Sequence, residues 1–421
     1  MFFLFNLRIM VYHCFKVVAV FIHVSLSVSL GFLDKSKPLL DTCSSDKIEL
    51  SVLDYTTLLK TKSQIQTPRF HTLYKGLIKK ADRALKEGVF SVTQKTQIPP
   101  SGDKHDYISY GPYWWPNPNK PDGLPWIRRD GEINPLTRKG NTDFETKSKF
   151  FNNTEVLAMA YFFSDKKKYA VKALELIKVW FINEATKMNP NLNYAQGIPG
   201  INTGRGIGII EFSGISKIIT AIEILQIKDE MDTETSERLR VWFAEYLLWL
   251  QTSDNGVFEK NTKNNHAVYY DMQVVSILLF LNRKQEAKTV LETVKTKRIA
   301  QQIEPDGKQP HELERTKALS YSTMNLRGFT QLAFLGTKVD VDLWNYKAEN
   351  GASIIKAYEF LKPYATGEKE WEYKQITSLD KAKKNLKELF AKAGAQFNEK
   401  EYCKIGTSEN TKATSLLFNC N

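Results

Sequence analysis

Apolar residues that recur every three to four positions constrain this chain more than any other feature. They do so over residues 68–87, 153–163, 169–183, 207–227, 235–252, 267–281, 284–298, 317–335, 341–361 and 378–393. That period puts them on one side of a helix each time. Suitable starts accompany the pattern. Asp232 or Thr233 precedes the stretch holding Trp242, and Thr67-Pro68 precedes Arg69. No alternating run competes as a strand. Successive helices with short polar links predict an all-α fold of antiparallel pairs, a toroid or a solenoid. No repeat of fixed period is present, which argues against a regular solenoid.

Two long segments interrupt the helices, 91–147 and 188–206. Loops of this length inside a compact domain are functional or disordered. These carry too many aromatic residues for ordinary disorder, so they read as ordered walls of a site. No linker divides the chain, and 421 residues with 42% hydrophobic content suffice for one large core. The expected organisation is a leader over residues 1–31 and a single domain over 32–421. Lys16 precedes the apolar run 17–33, which ends in small residues, as in a secretory signal. Met10 is an alternative start, and an uncleaved anchor is the alternative reading. Export predicts a periplasmic or secreted protein, with no membrane contact beyond the leader. In an oxidising compartment Cys403 and Cys420 can pair. No Cys/His spacing of zinc type occurs.

A net charge of +12 and a pI near 9.2 favour acidic partners. A protein that is merely basic is the plain alternative. Lysines scattered through helices, and the leader, argue against nucleic acid. A monomer is expected.

Four stretches can carry chemistry. The first loop crowds Tyr107, Tyr110, Tyr113, Trp114, Trp115 and Trp126 together. Aromatic faces pack on sugar rings, or they can pin the loop to the core. His105 reads as a surface residue. The second loop brings Asn193, Gln196 and Arg205 near an apolar helix. Arg205 can meet substrate, a helix C-terminus or Glu211. Its glycines do not follow a strand, so a dinucleotide fold is excluded. In "KNTKNNHAVYYDMQ", Asn264 or Asn265 can cap the helix that follows. A helix start also favours a carboxylate, and His266 can take a proton near neutral pH. Fourth, Arg315 lies six residues before Tyr321. Arginine grips carboxylates by two bonds, and a nearby cation favours a phenolate.

Together "YGPYWWPNP", "NLNYAQGIPG", "GRGIGIIEF", "NNHAVYYD" and "HELERTKALSYS" resemble the alginate lyase superfamily, above all polysaccharide lyase family 38, with the family 5 alginate lyases as relatives. The resemblance implies a single α/α toroid with a groove over its mouth. It implies cleavage of a uronate polymer by β-elimination, with no cofactor and no required metal. It assigns catalysis to Asn265, His266, Arg315 and Tyr321. Tyr110, Tyr113, Trp114, Trp115, Asn193, Gln196, Arg205 and Tyr269 become substrate contacts. Family 5 places one more residue between arginine and tyrosine, so Arg315 should precede the helix proper, and Lys317 is a substitute for it. A glycoside hydrolase on the same fold would need two carboxylates across the groove, from among Asp106, Asp143, Glu155 and Glu211. A non-catalytic polyuronide-binding protein is the other alternative.

Overall fold

The computed structural model describes residues 48–139, 141–406, 416 and 420. The expected leader, residues 1–31, lies outside the described residues. Among them, no helix is long and apolar enough to cross a membrane.

Two kinds of helix alternate along the chain. Asn265–Phe280 buries every residue except His266. Asp143–Ser164, Ile215–Ile227 and Ala318–Gly336 are likewise buried on most faces. A helix apolar all round belongs inside. Lys284–Val294 instead buries Ala287, Leu291 and Val294, a single stripe. Thr233–Thr252 buries one stripe from Thr235 through Leu239, Trp242 and Tyr246 to Leu250. The inner helices pack on one another in the order Asp143–Ser164, Ile215–Ile227, Asn265–Phe280, Ala318–Gly336, Leu379–Phe397. Lys167–Phe181, Thr233–Thr252 and Lys284–Val294 back them from outside. This inner–outer alternation is an α/α toroid.

Boundaries depart from the periodicity where local chemistry intervenes. The expected helix 207–227 breaks at Ser213-Gly214 into a 3₁₀ segment, Gly206–Phe212, and the helix Ile215–Ile227. The stretch 341–361 becomes helical only at Ile354, capped by the Ser353 side chain. Gly351, at φ +90°, turns the chain before it. Asp143–Ser164 begins ten residues earlier than expected, because Asp143, buried against Lys95 at 3.1 Å, starts it. Five short helices escaped the pattern: Tyr55–Ser63, Asp254–Lys260, Ala300–Gln302, Pro310–Leu313 and Lys400–Gly406. A disulfide joins Cys403 to Cys420.

The two long loops fold against each other. Ile108–Tyr110 pairs in parallel with Tyr194–Gly197, and Trp114–Trp115 pairs antiparallel with Ile127–Arg128. The Trp126 amide donates to the Pro199 carbonyl at 3.1 Å. Strands of two to four residues are too short to leave an alternating signal in sequence. Beneath them Tyr107 and Ser109 both donate to Glu211 at 2.7 Å. Tyr107 is thus one of the aromatics that pin the loop.

Glu223, inside the Ile215–Ile227 helix, accepts the Ser51 amide at 2.9 Å. Burial pushes its carboxyl up to about 7. The folded value lies above the unfolded one, so stability falls as pH rises from the ordinary carboxylate range through about 7. Glu223→Gln should therefore match the parent at pH 5 and exceed it at pH 8, by about 3 kcal/mol at most. Calorimetric melting at the two pH values measures this.

Candidate active site

The helix Asn265–Phe280 starts at the site, and its cap separates the two asparagines by role. The Asn264 side chain accepts the His266 amide at 3.3 Å, which makes it the cap. Asn265 is therefore free for other work. Both its backbone N–H and its Nδ2 are taken by a residue the sequence did not mark. Glu312 Oε1 accepts the Asn265 amide at 2.7 Å, and Nδ2 donates to both Glu312 oxygens at 2.9 and 2.7 Å. The expectation that this helix start faces a substrate carboxylate is corrected. A buried carboxylate of the protein already fills it, as helix-start charge favours. Asn265 Oδ1 is buried and has no hydrogen-bond partner.

His266 is the one residue of its helix with an accessible side chain. Its Nδ1 lies 2.6 Å from Oε1 of Glu259, which is fully buried in the helix Asp254–Lys260. With Glu259 as a carboxylate, Nδ1 carries the hydrogen and Nε2 keeps its lone pair. The ring is thereby set in one tautomer, with its basic nitrogen turned from the core.

Arg315 precedes the helix Ala318–Gly336, as the six-residue spacing demanded. Its guanidinium grips Asp130 at 2.9 and 3.3 Å and donates to the Tyr321 hydroxyl at 2.9 Å. It also lies over the Tyr321 ring at 3.9 Å. Burial alone would raise the Asp130 pKa, but the Arg315 and Thr316 bonds outweigh it and hold the carboxyl well below the usual range. Tyr113 from the aromatic loop places its hydroxyl 2.6 Å from that of Tyr321. Burial pushes the Tyr321 phenol far up, Tyr113 adds to this, and Arg315 offsets only part. The expected lowering by the nearby cation is thus corrected: burial outweighs it, and the Tyr321 pKa lies above the ordinary phenol value. Arg315 is the cation bonded to Tyr321, and the Lys317 ammonium lies 5.2 Å from the Tyr113 ring beside it.

The second loop supplies one more cation. Arg205 donates to the Gln196 carbonyl and to Gln196 Oε1, both at 3.0 Å, beside the Trp114 ring at 5.9 Å. Both bonded partners are neutral. Burial, and then the neighbouring Arg128 charge, push Arg205 down to about 10. A Cβ at position 111 would meet Trp114 at 2.7 Å and Arg205 at 2.9 Å, so Gly111 lets the loop close on this pair.

Other expected contacts are placed differently. Tyr269 is corrected outright: it is buried, and its hydroxyl donates to the Met324 carbonyl at 3.1 Å. Its position on an all-buried helix turns it to the core. Gln196 is buried and holds Arg205, so it orients a contact rather than making one. Asn193 sits on the exposed rim and accepts from Trp249 Nε1 at 2.9 Å. Tyr110 packs on Trp126, with ring centroids 5.6 Å apart. Trp115 donates to the Glu132 carbonyl at 3.1 Å beneath Arg129. His105 is half-buried and bonds the Lys187 carbonyl at 2.6 Å. The carboxylates a hydrolase would need are occupied. Asp106 accepts from Asn189 and Asn191, Asp143 pairs with Lys95, Glu155 with Lys217, and Glu211 takes Tyr107 and Ser109.

The alginate lyase family model matches residues 91–371. An alginate lyase from Bacteroides ovatus superposes with a TM-score of 0.84 at 35% identity, over 89% of this chain and 100% of that one. The chain belongs to the alginate lyase family. The lyase also shares its fold with alginate lyase A1-III from Sphingomonas species A1, at TM-score 0.56 and 17% identity, over 87% of this chain and 97% of that one. An A1-III variant complexed with a tetrasaccharide gives 0.55 and 16%, over 86% and 94% of the two chains. No curated protein matches the lyase.

Within the lyase, Glu259 offers a direct test of how His266 is held. Glu259→Gln keeps an acceptor for Nδ1 but removes the charge behind the ring. It should lower kcat by about tenfold with KM little changed, and Glu259→Leu, which loses the acceptor, by about 10²-fold. Steady-state kinetics of the two variants, with melting curves as control, measure this.

Proposed function

We propose that this polysaccharide lyase cleaves 1,4-linked uronate polymers, alginate or a glucuronan-type polyuronide, by β-elimination without a required metal. The observation that carries the reading is the Arg315–Tyr321 pair: a phenol held by a guanidinium at 2.9 Å. Elimination breaks the C5–H bond and the C4–O4 bond. The pair of electrons from C5–H forms the C4–C5 double bond, and the leaving O4 takes a proton. The carboxylate on C5 must have its charge offset for this proton to leave. Arg315 and Arg205 suit that task, and the neutral partners of Arg205 support an anionic ligand beside it. His266 Nε2 suits proton removal, and Tyr321 suits protonation of O4.

The sugar decides the base. For guluronate the C5 proton and O4 lie on opposite faces, so His266 takes the proton and Tyr321 gives one. For mannuronate or glucuronate they share a face. Tyr321 then serves both steps, and its proton must first be displaced. The disulfide and the apolar leader support export to the periplasm or beyond.

Incubation with alginate fractions and glucuronan should raise ultraviolet absorbance from the unsaturated uronate end, and EDTA should not suppress it. New reducing ends without that absorbance would overturn the elimination.

A further inference from the structure

The donors of Asn265 are spent on Glu312, while its Oδ1 stands buried with nothing to accept from. An amide in this orientation cannot donate to a second carboxylate. Yet the groups around Glu312 are those that the uronate reading gives to the substrate. Arg315, in the turn just beyond Glu312, is a cation that helps to keep the Glu312 proton off. His266 stands next to Asn265 on the facing helix start, and Tyr269 of the same helix turns its hydroxyl to the Met324 carbonyl. An anion entering beside Arg315 offsets the field that keeps Glu312 ionised.

We propose that Glu312 is a positioning residue that takes up a proton when a uronate carboxylate binds, and that the Asn265 amide turns over with it. The proton moves from solvent to Glu312 Oε2, and no other bond is made or broken. The new O–H donates to Asn265 Oδ1, while Oε1 continues to accept the Asn265 backbone amide. Nδ2 then occupies the place where an unpaired oxygen now stands, and the site gains a donor as it gains a negative charge. Burial already raises the Glu312 carboxyl above the ordinary range, although the Asn265 bonds resist this, so the step is short. The inference rests on the uronate reading.

Linkage fixes the sign. The bound state raises the Glu312 pKa, so binding takes up a proton and affinity weakens as pH rises between the free and bound values, by up to about tenfold per pH unit. The experiment uses Tyr321→Phe protein, which should bind without cutting. Titration calorimetry with a uronate oligosaccharide, in two buffers of different ionisation enthalpy, should report uptake of about one proton. In Tyr321→Phe/Glu312→Gln protein the uptake should vanish and the pH dependence of affinity flatten, because glutamine carries a permanent N–H donor for Oδ1. Zero uptake by Tyr321→Phe alone overturns the proposal without need of the second variant. So does undiminished uptake in the double variant, or loss of binding in a double variant whose near-ultraviolet circular dichroism is unchanged. If the parent enzyme releases no unsaturated product from any uronate polymer, the functional reading itself has failed and the coupling falls with it. Product release with no proton uptake isolates the failure to Glu312.

Discussion

Tyr321→Phe is expected to lower kcat by about 10³-fold and to leave substrate affinity within about threefold. The hydroxyl is the group lost. The ring remains under the Arg315 guanidinium, 3.9 Å away, so packing in the cleft survives. On the elimination reading, an unprotonated O4 alkoxide is the costly alternative that the phenol would prevent. Tyr113, at 2.6 Å from the missing oxygen, cannot substitute from its own position, because it reaches the site through Tyr321. Unsaturated-product absorbance gives kcat, and calorimetry on the same variant gives affinity. A variant retaining a tenth or more of the parent rate would remove Tyr321 from the acid role.

Arg315→Met should be as damaging, but with a different signature. The guanidinium serves two partners at once, Asp130 and Tyr321. Its loss removes a donor to the phenol and, on the proposed reading, the charge set against the substrate carboxylate. We expect kcat/KM to fall by about 10³-fold, with KM raised as well as kcat lowered. Asp130 would keep Thr316 and Arg128 as partners, at 3.0 and 2.8 Å, so the fold should hold. Its carboxyl should return towards the ordinary range. Stability due to its depressed pKa is present above that range and lost on acidification, so the variant should differ from the parent more at neutral than at acid pH. The double variant with Tyr321→Phe is the sharper measurement. Groups that act as a unit lose function once, so the double should be little worse than the poorer single. Multiplying losses would mean that the two act independently.

The helical plan was open to reading because burial writes itself at a fixed period, and an inner helix such as Asn265–Phe280 leaves a dense apolar record broken after its first turn only by Asp271, Gln273 and Ser276. The site was open to reading only where its chemistry sits in a short stretch. Asn265 and His266 are adjacent, and Arg315 and Tyr321 lie six apart. Their partners are not local. Asp130 meets Arg315 across 185 positions, in a loop crowded with other polar residues, and Glu312 meets Asn265 across 47. Glu259 lies seven residues before His266, but a lysine-rich stretch stands between, and nothing there separates a buried glutamate from a solvated one. One contact was misjudged: Tyr269 belongs to the motif by sequence but to the core by helical phase. For Tyr321 the direction of the pKa shift was not legible, because burial outweighs the charge of its neighbour.

The mounting of His266 sets what can vary in this enzyme. The helix beneath it is enclosed along its whole length, so the imidazole cannot migrate without disturbing the centre of the toroid. The aromatic loop beside Tyr321 is held to the second loop largely by backbone hydrogen bonds, a scaffold that tolerates new side chains away from Tyr107, Ser109 and Gly111. Acceptance of different polymers should thus evolve by rewriting 107–128 and 193–205, while the proton-transfer apparatus stays put. Transplanting those two segments between relatives would exchange their preferences and leave their chemistry alone.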